Sequence, residues 1–450
     1  MDETKRLAKY ICALRYDELP QEVISKCKGL ILDQIGAELA SSNNAWSRMI
    51  FDYVQDFGGR PESTVVNYGF RTKAEIAAFA NACFGHTLEI DDLHSEAPTH
   101  PGCVVIPAAL TVGEKQSADG KGLILAIVSG YEVMVRTMKA VSPSAGDRGF
   151  HMITGPFGAA VAAGKLLQFD PHTMAMAISV AASHASSLRE FDQSGGDVKR
   201  VHAGIAAHSG VRSAMLAQRG LTGPPTILEG CHGFCHAFAD EYHLEYIIEG
   251  LGKEFIGVMG TSYKIYGCCA AIHAAIDSLQ GLVVEHDIKP QDIAEVVVKT
   301  NRSTLGHVGT IYIPKDVLEA QFSMPFSLAL TSVKRDNSLD VYTESSIDDP
   351  ELTALAQKVK LISDSEVNGA VLGASRVIVK LKDGTEYQGS GDYAKGSPKV
   401  PLTISELETK FRKLASKILP ISRIKEIIQI VGDLERLNDI SVLIKALTRM

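Results

Sequence analysis

Several things are scarce in this 450-residue chain, and each absence excludes a class of function. There is no basic excess, since 45 Lys and Arg stand against 53 Asp and Glu for a formal charge of -8. A nucleic-acid binder would show the opposite balance or a basic stripe, so no nucleic-acid partner is expected. An anionic small molecule remains compatible, because the local field of a pocket outweighs net charge. Long apolar runs are missing too. The most apolar stretches, such as GLILAIVSGYEVMV from Gly122 to Val135, are too short and interrupted to span a bilayer, which predicts no membrane partner. The N-terminal MDETKRLAKYICALRYDELP lacks the apolar centre of a signal peptide, so a cytoplasmic location is expected. Eight scattered cysteines form no dense framework and read as reduced thiols. Neither an internal repeat nor a low-complexity linker is evident.

The stretch CHGFCH, Cys231 to His236, has zinc-type ligands but no common zinc spacing. It reads as a tight glycine turn with small buried thiols. No metal and no cofactor are expected.

What the chain does have is enough apolar content, 45%, for a large core, and length for about two domains. Most of the first 255 residues read as helix. QEVISKCKGLILDQIGAELA sets Val23, Ile24, Cys27, Leu30, Ile31, Ile35 and Leu39 on one stripe at helical period. TKAEIAAFANAC opens with Thr72 and Glu75 at capping-box spacing. GPFGAAVAAGKLLQFD and PHTMAMAISVAASHASS are alanine-rich on every face, as in helices packed closely on all sides. STVVNYG reads as a short extended segment.

After about residue 258 the texture changes. AEVVVKT is β-branched and strand-like. SRVIVKLKDGTEYQGS alternates around Asp383-Gly384, a hairpin signal that suits a type I′ turn. GCCAAIHAAIDSLQGLVVEH between them reads as helix, and helix returns in TISELETKFRKLASKI, with Leu407, Phe411 and Leu414 on one face. The fold class expected is therefore mainly α. A large all-helical domain is formed by both chain ends, residues 1–258 and 401–450, with a smaller α+β lid over residues 259–400.

Four stretches carry titratable groups in apolar, glycine-rich surroundings. EIDDLHSEAPTHPG holds Glu89, Asp91, Asp92, His94 and His100, and GFHMITGPFGAA holds His151. SGGDVKRVHAGIAAHSG holds Lys199, Arg200 and His202, and GTSYKIYGCCAAIHAA holds Lys264, Cys269 and His273. Each has a structural alternative. Asp91 and Asp92 suit N-caps, His151 a packing position ahead of a helix, Lys199 and Arg200 a solvated helix start, and His273 a hydrogen-bonded core position. Taken together they favour a pocket. Lysine and histidine suit a small polyanion, and an acidic group beside them suits proton transfer at carbon, with cations holding the charge that develops. A divalent-metal hydrolase built on Asp91, Asp92, His94 and His100 is a further reading, although its spacing fits no common site.

LEIDDLHSEAPTHPGCVVIPAAL, FHMITGPFGAAVAAGKLL, VKRVHAGIAAHSGVRSAMLAQRGLTGPPTILEG and YKIYGCCAAIHAAID, in that order, resemble the successive signatures of the MmgE/PrpD family. The likeness covers nearly the whole chain, including EAQFSMPFSLAL and the helical tail. It implies a helical domain plus lid with the cleft between them, a homodimer, no cofactor, and a lyase acting on a small di- or tricarboxylate of the 2-methylcitrate or cis-aconitate kind. An epimerase of an iminodisuccinate-like dicarboxylate is the alternative. By motif it implies pocket roles for His100, His151, Lys199, Lys264 and the Asp91-Asp92 pair. Together with the four polar stretches, this makes His100, His151, Lys199 and Asp91 the expected catalytic groups, and Glu89, Lys264, Cys269, Arg200 and His202 the expected substrate-binding groups. The decarboxylase branch carries Asp at Glu89, Thr at Leu93, His at Cys269 and Tyr at Phe326. These departures predict a less polar pocket and a substrate with fewer polar groups, or a different skeleton, than cis-aconitate.

Overall fold

The computed structural model describes residues 2–191, 195–367 and 373–449. The chain forms two compact units, one from Met1–Thr87, Asp91–Thr261 and Thr403–Met450, the other from Leu88–Ile90 and Ser262–Leu402. Residues 88–90, which composition alone put with the helices, thus cluster with the second unit. No helix among the described residues is long and apolar enough to cross a membrane.

The first unit is helical. Helix α1 (Gln21–Ser41) buries the whole expected stripe from Val23 to Leu39. Helix α2 (Ala74–His86) starts without the expected capping box. Lys73 occupies the N-cap, and the Thr72 hydroxyl donates instead to the Gly58 carbonyl at 2.5 Å, so a local loop contact outcompetes the cap. Helices α3 (Gly102–Gln116), α4 (Gly120–Val141), α5 (Gly155–Leu166) and α6 (Pro171–Ala182) follow. Asp119 and Asp170 cap α4 and α6 with side-chain oxygens, which satisfies amides that the helix leaves orphaned. Helix α7 (Lys199–Ala217) packs against α2, α5 and α6, and α4 packs against α5. Small residues make this possible. A Cβ on Gly210 would lie 2.5 Å from the Pro156 carbonyl, and one on Gly204 would strike the Cys83 sulfur. The chain end returns as helices Ile404–Ala415 and Ile421–Gly432, and the first sets Leu407, Phe411 and Leu414 on α1.

The second unit is α+β. Strands β1 (Ile293–Thr300), β2 (Val359–Ser363), β3 (Ser375–Leu381) and β4 (Glu386–Gly391) form a sheet in the order β2-β1-β3-β4. The β1–β2 pair is parallel, whereas β1–β3 and β3–β4 are antiparallel. The β3–β4 hairpin differs from expectation in its turn. The Gly384 amide bonds to the Leu381 carbonyl at 3.1 Å, and φ is +90° at Gly384 but not positive at Asp383. This is a type I turn closed by a left-handed glycine, because a type I′ turn needs positive φ at both central residues. Helix α8 (Ala270–Glu285) covers β3 and β4. It shares a core with helix α9 (Arg302–Val308), helix α10 (Met324–Lys334) and the inward strand residues Val296, Val298, Val377 and Val379.

Candidate active site

In the helical unit, three turns of chain bring their polar groups together. The C-terminal end of α2 supplies His86. The loop to α3 supplies Asp91, Asp92 and His100, and the first turn of α3 supplies Cys103. The approach to α5 supplies His151, and the first turn of α7 supplies Lys199, Arg200 and His202. All are buried or nearly so.

Asp91 organises the cluster. Its Oδ2 lies 2.8 Å from His86 Nδ1 and 3.2 Å from His100 Nδ1. His100 Nδ1 is also 2.7 Å from the Asp92 carbonyl oxygen, and the Cys103 thiol donates to the His100 carbonyl at 3.3 Å. On its far edge, His86 Nε2 lies 3.3 Å from Lys199 Nζ. The imidazoles form a continuous wall, with ring centres 5.0 Å apart for His86 and His100, and 5.9 Å for both His100–His151 and His151–His202. Phe191 closes one side, 5.6 Å from His151, and Lys199 Nζ stands 6.0 Å above its ring.

Burial and the neighbouring charges set the ionisation. Burial would raise the Asp91 carboxyl, but His86 and His100 hold it well below its usual range. Burial, then Lys199, pushes His86 down to about 4. Burial, then His86 and Lys199, brings His202 to about 4 as well. His151 falls well below the ordinary histidine value through burial and Lys199. At neutral pH the site therefore presents an anionic Asp91 and neutral imidazoles at His86, His151 and His202. The Nδ1 atoms of His151 and His202 are buried without a hydrogen-bond partner among the described residues.

Other groups marked in the sequence do structural work. Asp92 Oδ1 accepts from the Gly102 amide at 2.8 Å, and Oδ2 accepts from the Tyr131 hydroxyl at 2.6 Å, so this carboxylate fixes the start of α3 against α4. Burial pushes it up to about 7. Both His94 nitrogens are engaged, by the Ala97 amide at 3.1 Å and the Ile256 carbonyl at 3.1 Å. A metal set of Asp91, Asp92, His94 and His100 is thus replaced by a tighter one. His86, Asp91 and Cys103 bring ligand atoms within 4.8 Å of one another. The Lys199 ammonium next to His86 opposes a cation there. Arg200 is buried with its guanidinium 3.8 Å over the Trp46 ring, bonded to the Thr87 carbonyl and to Asp197. It ties down the end of α2. In CHGFCH, Cys235 is buried while Cys231, His232 and His236 are exposed.

The second unit holds its own buried cluster. Lys264 Nζ and Glu89 Oε2 lie 3.3 Å apart, and Glu89 sits in the left-handed region with φ at +56°. A buried acidic residue rarely adopts that conformation, which marks the position as constrained. Cys269 is the N-cap of α8. Burial alone would raise its thiol, yet His307 on α9, with Lys264, draws it below the ordinary thiol value. The adjacent Cys268 is pushed by burial up to about 12. His273 packs on Tyr266 with Nε2 3.3 Å from the Cys268 carbonyl, as the structural alternative expected. Phe326 is part of the apolar core, and Leu93 in the first unit is 8% exposed.

The sequence reading missed His86, Cys103, Tyr131 and His307. His86 alone left a trace, as a lone imidazole at the end of an apolar helix five residues before Asp91.

Several known proteins are similar to this chain over nearly its whole length. Cis-aconitate decarboxylase from Aspergillus terreus is 31% identical over 470 residues, covering 99% of this chain and 95% of that protein. The Homo sapiens cis-aconitate decarboxylase is 28% identical over 98% of this chain and 93% of its own length. The Mus musculus protein of that name is 27% identical over 99% and 93%. Residues 5–247 match the MmgE/PrpD N-terminal domain and residues 266–436 the MmgE/PrpD C-terminal domain, and the chain accordingly belongs to the MmgE/PrpD family.

Proposed function

We propose that this chain is a lyase that removes carbon dioxide from a small di- or tricarboxylate by general acid/base chemistry, using Lys199, His151, His100 and Asp91. The observation that carries the reading is the buried wall of neutral imidazoles around Lys199 and Asp91. The names of the relatives support the decarboxylase form of it.

The reaction asks little of such a site. The bond between carbon and the departing carboxylate breaks, carbon dioxide leaves, and the electron pair passes into the remaining conjugated acid. A preorganised cation opposite that acid stabilises the charge as it develops, and this is the role assigned to Lys199. A proton must then reach carbon. His151 is neutral in the free site because burial and Lys199 disfavour its cation. The negative charges of a bound polycarboxylate reverse that balance, so His151 takes up a proton on binding and gives it to carbon. His100, held by Asp91 and the Asp92 carbonyl, is assigned to bond a substrate carboxylate.

Leu93 in the helical unit, where the decarboxylase branch carries Thr, supports a skeleton with fewer hydrogen-bonding groups than cis-aconitate, whereas Phe326 packs in the core of the α+β unit. The test is a panel of C4 to C7 di- and tricarboxylates, cis-aconitate included, followed by proton NMR in deuterated water. Carbon dioxide loss with deuterium at the new C–H bond is expected. Deuterium exchange without loss of carbon dioxide or water would replace the lyase by an epimerase.

A homodimer belongs to the same reading. Met49, Tyr53 and Phe57 form an exposed apolar stripe along helix Ala45–Phe57, a face that a second copy would cover. A monomer mass by light scattering at micromolar concentration would overturn it.

A further inference from the structure

His86 touches both ends of the proposed machinery. It is the last residue of α2, fully buried, with Nδ1 2.8 Å from Asp91 Oδ2 and Nε2 3.3 Å from Lys199 Nζ. The groups that face it are Asp91, His100, Cys103, His151 and Lys199. With Lys199 an ammonium, one protonation pattern satisfies both contacts. An ionised carboxylate at Nδ1 requires the ring proton there, which leaves the Nε2 lone pair toward Lys199. An imidazolium would instead point Nε2–H at an ammonium.

We infer that His86 is a positioning residue for Lys199: Asp91 fixes the ring through Nδ1, and Nε2 accepts a hydrogen bond from the ammonium. One ammonium proton is thereby tied back, and the direction in which the others point is set before substrate arrives. The ring accepts the hydrogen bond and does not take the proton. Burial keeps His86 neutral down to about pH 4, far too weak a base to deprotonate an alkylammonium. Asp91, in turn, acts on the chemistry through two imidazoles, His86 toward Lys199 and His100 on the other side. The carboxylate is shared, so disturbing it would misplace both.

The inference rests on the reading that Lys199 acts on substrate, and the variants separate the two. The full-length protein is assayed with whichever acid of the panel is turned over, as His86→Leu, His86→Gln and Lys199→Ala. The leucine fills the space but offers Lys199 nothing. The glutamine carries an amide oxygen near the position of Nε2 and an amide N–H for Asp91. His86→Leu should lower kcat by roughly ten- to a hundredfold while KM moves less than about threefold, since misaiming a charge acts on the transition state. His86→Gln should recover most of that loss. A purely structural role would instead lower melting temperature in both variants and leave kcat per folded molecule unchanged. Wild-type kcat in His86→Leu, with Lys199→Ala inactive, overturns the positioning role alone. If His86→Leu does not fold, His86→Gln decides: a native melting temperature with kcat as low as in Lys199→Ala also overturns it. Wild-type turnover by Lys199→Ala overturns the underlying reading instead.

Discussion

Each unit buries a lysine near a carboxylate, but they are joined in different ways. In the α+β unit, Lys264 meets Glu89 directly at 3.3 Å. In the helical unit an imidazole stands between, with Lys199 on one ring nitrogen of His86 and Asp91 on the other. A direct pair cancels charge locally and binds two segments of chain, here Leu88–Ile90 and the stretch after Ser262. A pair spaced by a neutral ring sets direction without bringing the opposite charges into contact. The difference teaches that two equally buried lysines can serve different ends. One geometry suits holding the chain, and the other suits presenting a cation.

The sharpest way to break the comparison is to remove one partner of the direct pair. Glu89→Gln takes the carboxylate away from this buried ammonium and should lower stability, by up to about 3–5 kcal/mol, measured by chemical denaturation. The double variant Glu89→Gln, Lys264→Met should cost less than the sum of the singles. Strict additivity would show that the two groups do not interact. On the other side, Lys199→Ala should lower kcat/KM by on the order of a hundredfold or more with little change in melting temperature. His151→Ala and His100→Ala come next, each expected to lose at least about tenfold in activity while remaining folded. An early-melting His151→Ala that stays active per folded molecule would return that residue to a packing role.

The smallest effect concerns a buried acid with no cation beside it among the described residues. Glu38 is fully buried, accepts from Gln34 Nε2 at 3.1 Å, and is pushed by burial up to about 8. A folded-state value above the unfolded one means that its contribution is complete below about pH 4.5 and is lost as pH rises through about 8. Glu38→Gln should remove this slope and gain on the order of 1–2 kcal/mol at pH 8 relative to wild type. Melting curves from pH 5 to 8 that stay parallel for the two proteins would refute it.

Much of this was legible in the residues themselves. Period 3.6 gave α1 and the Leu407–Phe411–Leu414 face, and alternation around Asp383-Gly384 gave the hairpin, because such patterns report burial directly. The turn type escaped because Asp-Gly suits two turn geometries, and only the backbone distinguishes them. The capping box expected from Thr72 and Glu75 does not form, because the Gly58 carbonyl, fourteen residues away in the chain, claims the Thr72 hydroxyl. Within the site, His100, His151, Lys199 and His202 stood out as polar groups in apolar, glycine-rich segments. His86 did not, since its meaning lies in contacts with Asp91 and Lys199, and the latter is 113 residues distant. Arg200 stood out equally, but its stacking on Trp46 and its bond to the Thr87 carbonyl depend on tertiary neighbours that no local pattern announces.

Gly204 holds a last consequence. A side chain there would run into the Cys83 sulfur and sit 2.7 Å from the Phe79 carbonyl, both on α2. Its missing methyl lets α7 rest on α2, and those two helices deliver Lys199 and His86. Exchange of this one hydrogen for a methyl would spare every acid, base and donor in the cluster and still spread its two halves. A homologue could therefore keep the complete set of reactive residues and be inert. An inventory of side chains taken from an alignment would not reveal the defect, whereas the spacing between two helix axes would.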